Sequence, residues 1–289
     1  MADRIDVLKT YKTYVGGNFP RTESGRYYKV SDEDGKVLAN ACRCSRKDVR
    51  DAVVAARNAF PGWKGRTAYN RGQILYRIAE MLEGRKAQFI DELETMGKKS
   101  KQAKVEVNTA IDRLIYYAGW ADKYQQVFGT VNPVASNHFN FSIPDPTGVV
   151  SILSPEKFPL LGLVSVIAPV IVGGNTCVVL ASEQKPLCAV SLGEVLNSSD
   201  VPGGVVNILS GLKEELIPHM SSHMDVNAFF YTDREVKEKY AKQIDENGAL
   251  NIKRVVFEAY DDWTEDECQH PYLITSFQET KTTWHPVGF

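Results

Sequence analysis

This 289-residue chain has little of what would mark a disulfide or metal framework. Its five cysteines, Cys42, Cys44, Cys177, Cys188 and Cys268, are an odd number and contain no C-x-x-C pair. Cys42-x-Cys44 falls in a strand-like segment where alternate residues share a face, and a metal there would need further ligands that the neighbourhood lacks. Reduced thiols and no metal are expected. Nor does one sign of charge prevail. With 34 Lys and Arg against 36 Asp and Glu, the net charge is −2. That balance argues against nucleic acid or an anionic membrane as a partner. No apolar run is long enough to span a bilayer, which takes roughly 18 residues. The longest, Phe158–Gly173, is broken by Pro159 and Pro169 and reads as a buried core helix. Met1–Tyr14 carries mixed charges without an apolar stretch, so no export signal is expected and a cytoplasmic location is. The G-x-G-x-x-G dinucleotide fingerprint is also missing.

What the chain does have is periodicity. Ser45, with Asp48 three residues on, reads as a capping box, after which Val49, Val53, Ala56 and Phe60 line one helical face. Amphipathic helices are predicted around Asn70–Glu83 and Lys101–Lys123, and the alternation of His138–Ile143 predicts a half-exposed strand. From Gly148 onward, short apolar strands at 149–154, 176–181, 205–209, 226–231 and 253–258 alternate with helical stretches. This is the pattern of an α/β fold, a Rossmann-like doubly wound parallel sheet with helices on both faces.

Gly148–Leu160 (GVVSILSPEKFPL) runs from a buried strand into Pro155-Glu156-Lys157-Phe158-Pro159-Leu160, which resembles the P-W-N-F-P-L segment of the aldehyde dehydrogenase superfamily. Tyr14–Gly17, Val49–Trp63, Val150–Ser154, Gly174–Val179, Val201–Gly211 and Phe229–Thr232 resemble successive parts of the same family, and Phe257-Glu258-Ala259 stands where it has L-E-L-G-G. Pro271–Trp284 is similar to its C-terminal arm, with only Tyr260–His270 between the two. The resemblance therefore implies a nucleotide-binding domain over 1–126 and 149–262, an oligomerisation hairpin and arm over 127–148 and 271–289, and no catalytic domain. The second, non-catalytic module of the two-module family-16 enzymes looks similar.

The resemblance also implies which residues to examine. In the family the Asn of P-W-N-F stabilises an oxyanion, a task for a neutral donor. Here Lys157 holds that position, and an exposed ion pair with Glu156 is expected of it. Glu258 matches the family's general base. Cys268 lies among acids, in DDWTEDECQHP, where negative charge suppresses a thiolate. The cofactor motif K-P-S-E reads Leu180-Ala181-Ser182-Glu183 here, leaving Ser182 and Glu183 as candidate ribose contacts without the Lys. F-T-G-S reads Tyr231-Thr232-Asp233-Arg234. Asp233 would cap its helix and repel a diphosphate, whereas Arg234 is a candidate phosphate ligand. No cofactor is expected, or NAD only weakly.

The leading expectation is a non-catalytic pseudoenzyme that pairs as a homodimer, or as a hetero-complex with a full-length aldehyde dehydrogenase. Its arm alternates Leu273, Thr275, Phe277, Glu279, Lys281 and Thr283 with Ile274, Ser276, Gln278, Thr280, Thr282 and Trp284. That reads as a strand from Tyr272, which would either join another subunit's sheet or fold back over an edge of its own. The alternatives are an NAD(P)-binding module, or a residual aldehyde oxidoreductase that needs a partner's catalytic domain.

Overall fold

A computed structural model of the chain describes residues 7–32 and 34–288. The outermost residues of the assigned spans, and the first part of the segment expected to lack an export signal, lie outside the described residues. Three short strands open the fold, β1 (Thr10–Tyr11), β2 (Tyr27–Ser31) and β3 (Val37–Cys42), in a small sheet of order β1-β3-β2. Helices α1 (Arg46–Lys64), α2 (Ala68–Gly84), α3 (Lys86–Thr95), α4 (Ser100–Trp120) and the single turn α5 (Tyr124–Phe128) follow. Helix α1 starts where the sequence places its capping box, with the Ser45 amide donating to Asp48 at 2.7 Å. Its stripe of Val49, Ala52, Val53 and Ala56 is buried. Helix α3 is not among the helices that periodicity predicts. Its buried face of Phe89, Glu92 and Leu93 includes a carboxylate, which breaks the apolar stripe.

Strands β4 (Thr130–Asn132) and β5 (His138–Pro146) lead into the alternating half of the chain. This runs β6 (Val149–Leu153), α6 (Leu161–Val172), β7 (Thr176–Leu180), α7 (Leu187–Asn197), β8 (Val206–Leu209), α8 (Lys213–Ser222), β9 (Ala228–Tyr231), α9 (Arg234–Ala249) and β10 (Arg254–Phe257). The five strands β6 to β10 form one parallel sheet of order β10-β9-β6-β7-β8. Alternation along the strands divides the core in two. Val149, Leu153, Val178 and Phe229 pack with α1, α8 and α9, whereas Val150, Ile152, Val179 and Phe230 pack with α2, α4, α6 and α7. Helices therefore cover both faces, and every predicted strand of this sheet is present.

Helix α6 is buried on all sides, so its terminal backbone groups need partners from the protein itself. At its start, the Glu106 carboxylate of α4 accepts from the amides of Leu160 and Leu161 at 3.0 and 3.2 Å. At its end, Trp63 Nε1 and Arg71 Nε donate to the carbonyls of Ile171 and Val172, each at 2.9 Å. An acid at the amino end and an arginine at the carboxyl end both oppose the helix dipole favourably.

After β10 a compact connection crosses to the last strand through the short helix α10 (Tyr272–Thr275). Arg113, 1% exposed, holds it by donating to the carbonyls of Cys268 at 2.6 Å and Trp263 at 3.0 Å. The final strand β11 (Gln278–Pro286) pairs antiparallel with β5 over nine residue pairs, giving a third sheet of order β11-β5-β4. This corrects the expectation of an extended arm from Tyr272. Leu273, Ile274 and Phe277 are all buried, a spacing of one helical turn, so packing overrides the alternation there. The arm also folds back onto its own chain, and among the described residues its outer edge pairs with no strand.

Candidate functional site

In an open parallel sheet, ligands gather beyond the carboxyl ends of the strands, at the point where strand order reverses. Here the chain runs outward from β6 through β7 to β8, then returns to β9 on the other side of β6, so that point lies between β6 and β9. The loops beyond it carry every residue that the motifs single out. A cleft of about 330 Å³ opens beside them, lined by Lys157, Asp233, Arg234, Tyr260 and Trp263 among others.

The residues in these loops bond mainly to one another. Lys213, the first residue of α8, places its ammonium 2.6 Å from Glu156 Oε1 and 2.7 Å from Asp233 Oδ2. Glu156 also accepts from Ser182 Oγ at 2.5 Å and from the amides of Glu183 and Gln184 at 3.1 and 3.2 Å. Glu183 in turn accepts from the Lys213 amide at 2.8 Å, and Asp233 accepts from the Glu235 amide at 3.0 Å. One cation thus joins the loops after β6, β8 and β9, and Glu156 joins the loop after β7. Burial alone would push the Asp233 carboxyl up, but Lys213 and the amides of the first turn of α9 hold it below the ordinary range. Burial likewise works against the Lys213 ammonium, and the two carboxylates more than offset it, raising its pKa. Lys213 and Asp233, which form a three-residue clamp with Glu156, are therefore both charged near neutrality.

The remaining candidates stand apart from this clamp. Arg234 points outward and pairs with Asp261 at 2.8 Å. Lys157 is exposed, and among the described residues it makes no ion pair. Its expected pairing with Glu156 does not form, because Glu156 turns inward to the amides of the next loop and to Lys213. Glu258 accepts from the Tyr260 hydroxyl at 3.1 Å, and that hydroxyl lies 3.3 Å from His270 Nε2. Cys268 is fully buried and its thiol is pushed up to about 11, first by burial, with Arg113 working in the opposite direction. Desolvation outweighs the neighbouring acids, which the sequence context singled out, as the cause of that rise. All five cysteines are buried and free, and among the described residues no cluster could hold a metal ion.

Over residues 19–259 the chain matches the aldehyde dehydrogenase family. It belongs to that family. It is 34% identical over 251 residues to an aldehyde dehydrogenase of Alternaria alternata, covering 85% of this chain and 49% of that protein. It is 34% identical over 258 residues to retinal dehydrogenase 2 of Gallus gallus, with 87% and 49% covered. The structure of a Bacillus cereus aldehyde dehydrogenase solved as an NAD+ complex superposes with a TM-score of 0.81 at 26% identity, over 87% of this chain and 51% of that one. The chain therefore spans about half the length of the aldehyde dehydrogenases it matches.

The family resemblance brings a dinucleotide into consideration, and the residues present do not fit one. Its phosphates would need free amides at a helix start and a compensating cation. The first turn of α9 is capped by Asp233, the loop after β7 by Glu156, the start of α8 by Glu183 and the start of α6 by Glu106. Lys213, the buried cation among these loops, is spent on two carboxylates. Ser182 and Glu183, the candidate ribose contacts, are turned to the same internal network.

Sequence reasoning missed Lys213 and Glu106, although each left a signal. A lysine as the first residue of a helix opposes the dipole unless an acid holds it there. Glu106 interrupts the buried stripe of Ala103, Val107, Ala110 and Leu114, which implies a buried partner.

Proposed function

We propose that this chain is a non-catalytic aldehyde dehydrogenase-like pseudoenzyme that works by association, as a structural or regulatory subunit paired with a second copy or with a full-length aldehyde dehydrogenase. The observation that carries the reading is the internal capping of the carboxyl edge. Helix starts that could receive a ligand's phosphates already hold the protein's own carboxylates. Lys157 in the oxyanion position and a buried, protonated Cys268 support it from the side of the chemistry.

The sheet β11-β5-β4 supports the associative half of the reading. Register places Val131, Phe139, Phe141 and Ile143 on one face, where Val131 is 67% and Phe139 47% exposed. Beside them the nine-residue strand β11 presents its open edge. A long open strand edge next to exposed apolar side chains is a liability in a monomer and a means of docking in a complex.

A second reading is favoured by family membership and by the NAD+ complex of the Bacillus cereus relative. In it the chain is a nucleotide-binding module, or a residual oxidoreductase that converts aldehyde to carboxylate once a partner supplies the catalytic domain. Titration with NAD separates the nucleotide-binding module from the first reading, turnover with and without a partner tests the oxidoreductase, and mass tests association. The purified chain is expected to form no NADH from acetaldehyde above a Glu258→Ala control, and to run in light scattering as a dimer or join an added full-length aldehyde dehydrogenase. Turnover above the control, or a monomer that joins nothing, would overturn the proposal.

A further inference from the structure

The misfit between the carboxyl edge and a dinucleotide has a specific physical cause in the pairing of Glu156, Lys213 and Asp233. These side chains are 19%, 13% and 15% exposed, and their contacts bridge the switch point from the β6 loop to the β9 loop. Glu156, Glu183 and Asp233 set three carboxylates against the one ammonium of Lys213. An incoming diphosphate would meet that excess of negative charge, find the amides of residues 183, 184 and 235 already bonded, and have to displace two carboxylates from the lysine.

We propose that this clamp is what bars a dinucleotide's diphosphate from the carboxyl edge, because its carboxylates occupy both the loop amides and the buried Lys213 ammonium. The inference rests on the reading that the chain binds no nucleotide as it stands, and adds the reason. The amides that would receive phosphate are in place at the start of α9, which is sixteen residues long, and the cation is within reach of them. What excludes the ligand is the pair of carboxylates in front of them. Removing the two negative charges frees the Lys213 ammonium and lifts the repulsion, while the neutral acceptors keep the loops folded, so a diphosphate should bind better even though the amides stay bonded.

The test is a double variant, Glu156→Gln with Asp233→Ser. The first change keeps a side-chain oxygen for the loop amides, and a serine at the second position remains a good helix cap. Calorimetric titration with inorganic pyrophosphate, and separately with NAD, is run on the wild type, the double variant and the double variant carrying Lys213→Met. The wild type is expected to bind either probe no more tightly than about 1 mM. The double variant should bind pyrophosphate at least tenfold more tightly, and Lys213→Met should remove that gain. A folded double variant that binds no better than the wild type overturns the clamp and leaves the reading of an inactive subunit standing. Micromolar binding of NAD by the wild type overturns that reading together with the clamp. If circular dichroism shows the double variant unfolded, Asp233→Ser alone carries the same test, with a gain of about threefold expected and no gain overturning the proposal.

Discussion

The parallel sheet and the small sheet β11-β5-β4 treat their unpaired groups in opposite ways. At the carboxyl edge of the parallel sheet, carboxylates from the loops after β6, β7 and β9 and from α4 accept from the helix-start and loop amides, and Lys213 neutralises two of them. In the small sheet, a nine-residue strand edge is left open beside exposed Val131 and Phe139. A buried amide without a partner costs about 1–3 kcal/mol, whereas an exposed one is satisfied by water at little cost. On the proposed reading, the contrast sets where a ligand can still act. The edge that serves ligands in related folds has been closed by the protein's own groups, and the surface left open is of the kind that suits another protein.

The contrast is most severely tested at Glu106. Its carboxylate is 1% exposed in the ion pair, closes the start of α6 and neutralises Lys98, whose ammonium also lies 4.5 Å above the Phe158 ring. Glu106→Ala would leave two buried amides without an acceptor and a largely buried ammonium without its carboxylate. A loss of about 3–5 kcal/mol is expected, read from urea denaturation. A loss below about 1 kcal/mol would mean that the closed edge is less dependent on internal capping than its geometry implies.

The clamp should give a smaller effect with a distinctive pH dependence. Lys213→Met leaves Glu156 and Asp233 facing each other without a cation, for an expected loss of about 2 kcal/mol near neutrality. The raised Lys213 pKa stabilises the fold fully below the ordinary lysine value of 10.5, and that stabilisation is lost as pH rises through the folded value. The depressed Asp233 pKa acts above the ordinary aspartate value of 3.8, and its contribution is lost as pH falls through the folded value. The gap between wild type and variant should therefore be widest between those limits and narrow toward both. A gap that does not change with pH would show that Lys213 acts by packing and not by charge.

How much of this was legible depended on whether a residue's partner was local. The strands of the parallel sheet, the Ser45–Asp48 box and the Asp233 cap follow from residues within a few positions of one another, and the sequence shows them. Lys213 draws its meaning from Glu156 and Asp233, which lie far from it along the chain, and Glu106 from the amides of Leu160 and Leu161. No periodicity records such pairings. The Glu156–Lys157 pair fails for the same reason, since a neighbour in sequence lost to a partner across the sheet edge. Tyr272–Thr275 shows the converse error, where alternation suggested a strand until Leu273, Ile274 and Phe277 found a core to enter.

The smallest effect on stability should come from the open sheet, and it should be the largest on association. Val131 and Phe139 lie on the same face of β4 and β5, 67% and 47% exposed, with the Phe139 ring centroid 5.6 Å from that of Phe141, so Val131→Lys with Phe139→Lys should change stability by less than about 1 kcal/mol. If that face docks on a partner, two ammonium groups would have to be desolvated in an apolar contact, which is costly enough to abolish it. Deleting residues 271–289 is a poorer probe, because it would also strip Leu273, Ile274 and Phe277 from the core. The double variant should therefore unfold close to the wild type's urea concentration yet run as a monomer in light scattering. Unchanged mass and unchanged capture of a full-length aldehyde dehydrogenase would place the association elsewhere on the molecule, and the exposed face would then lose its claim to a role.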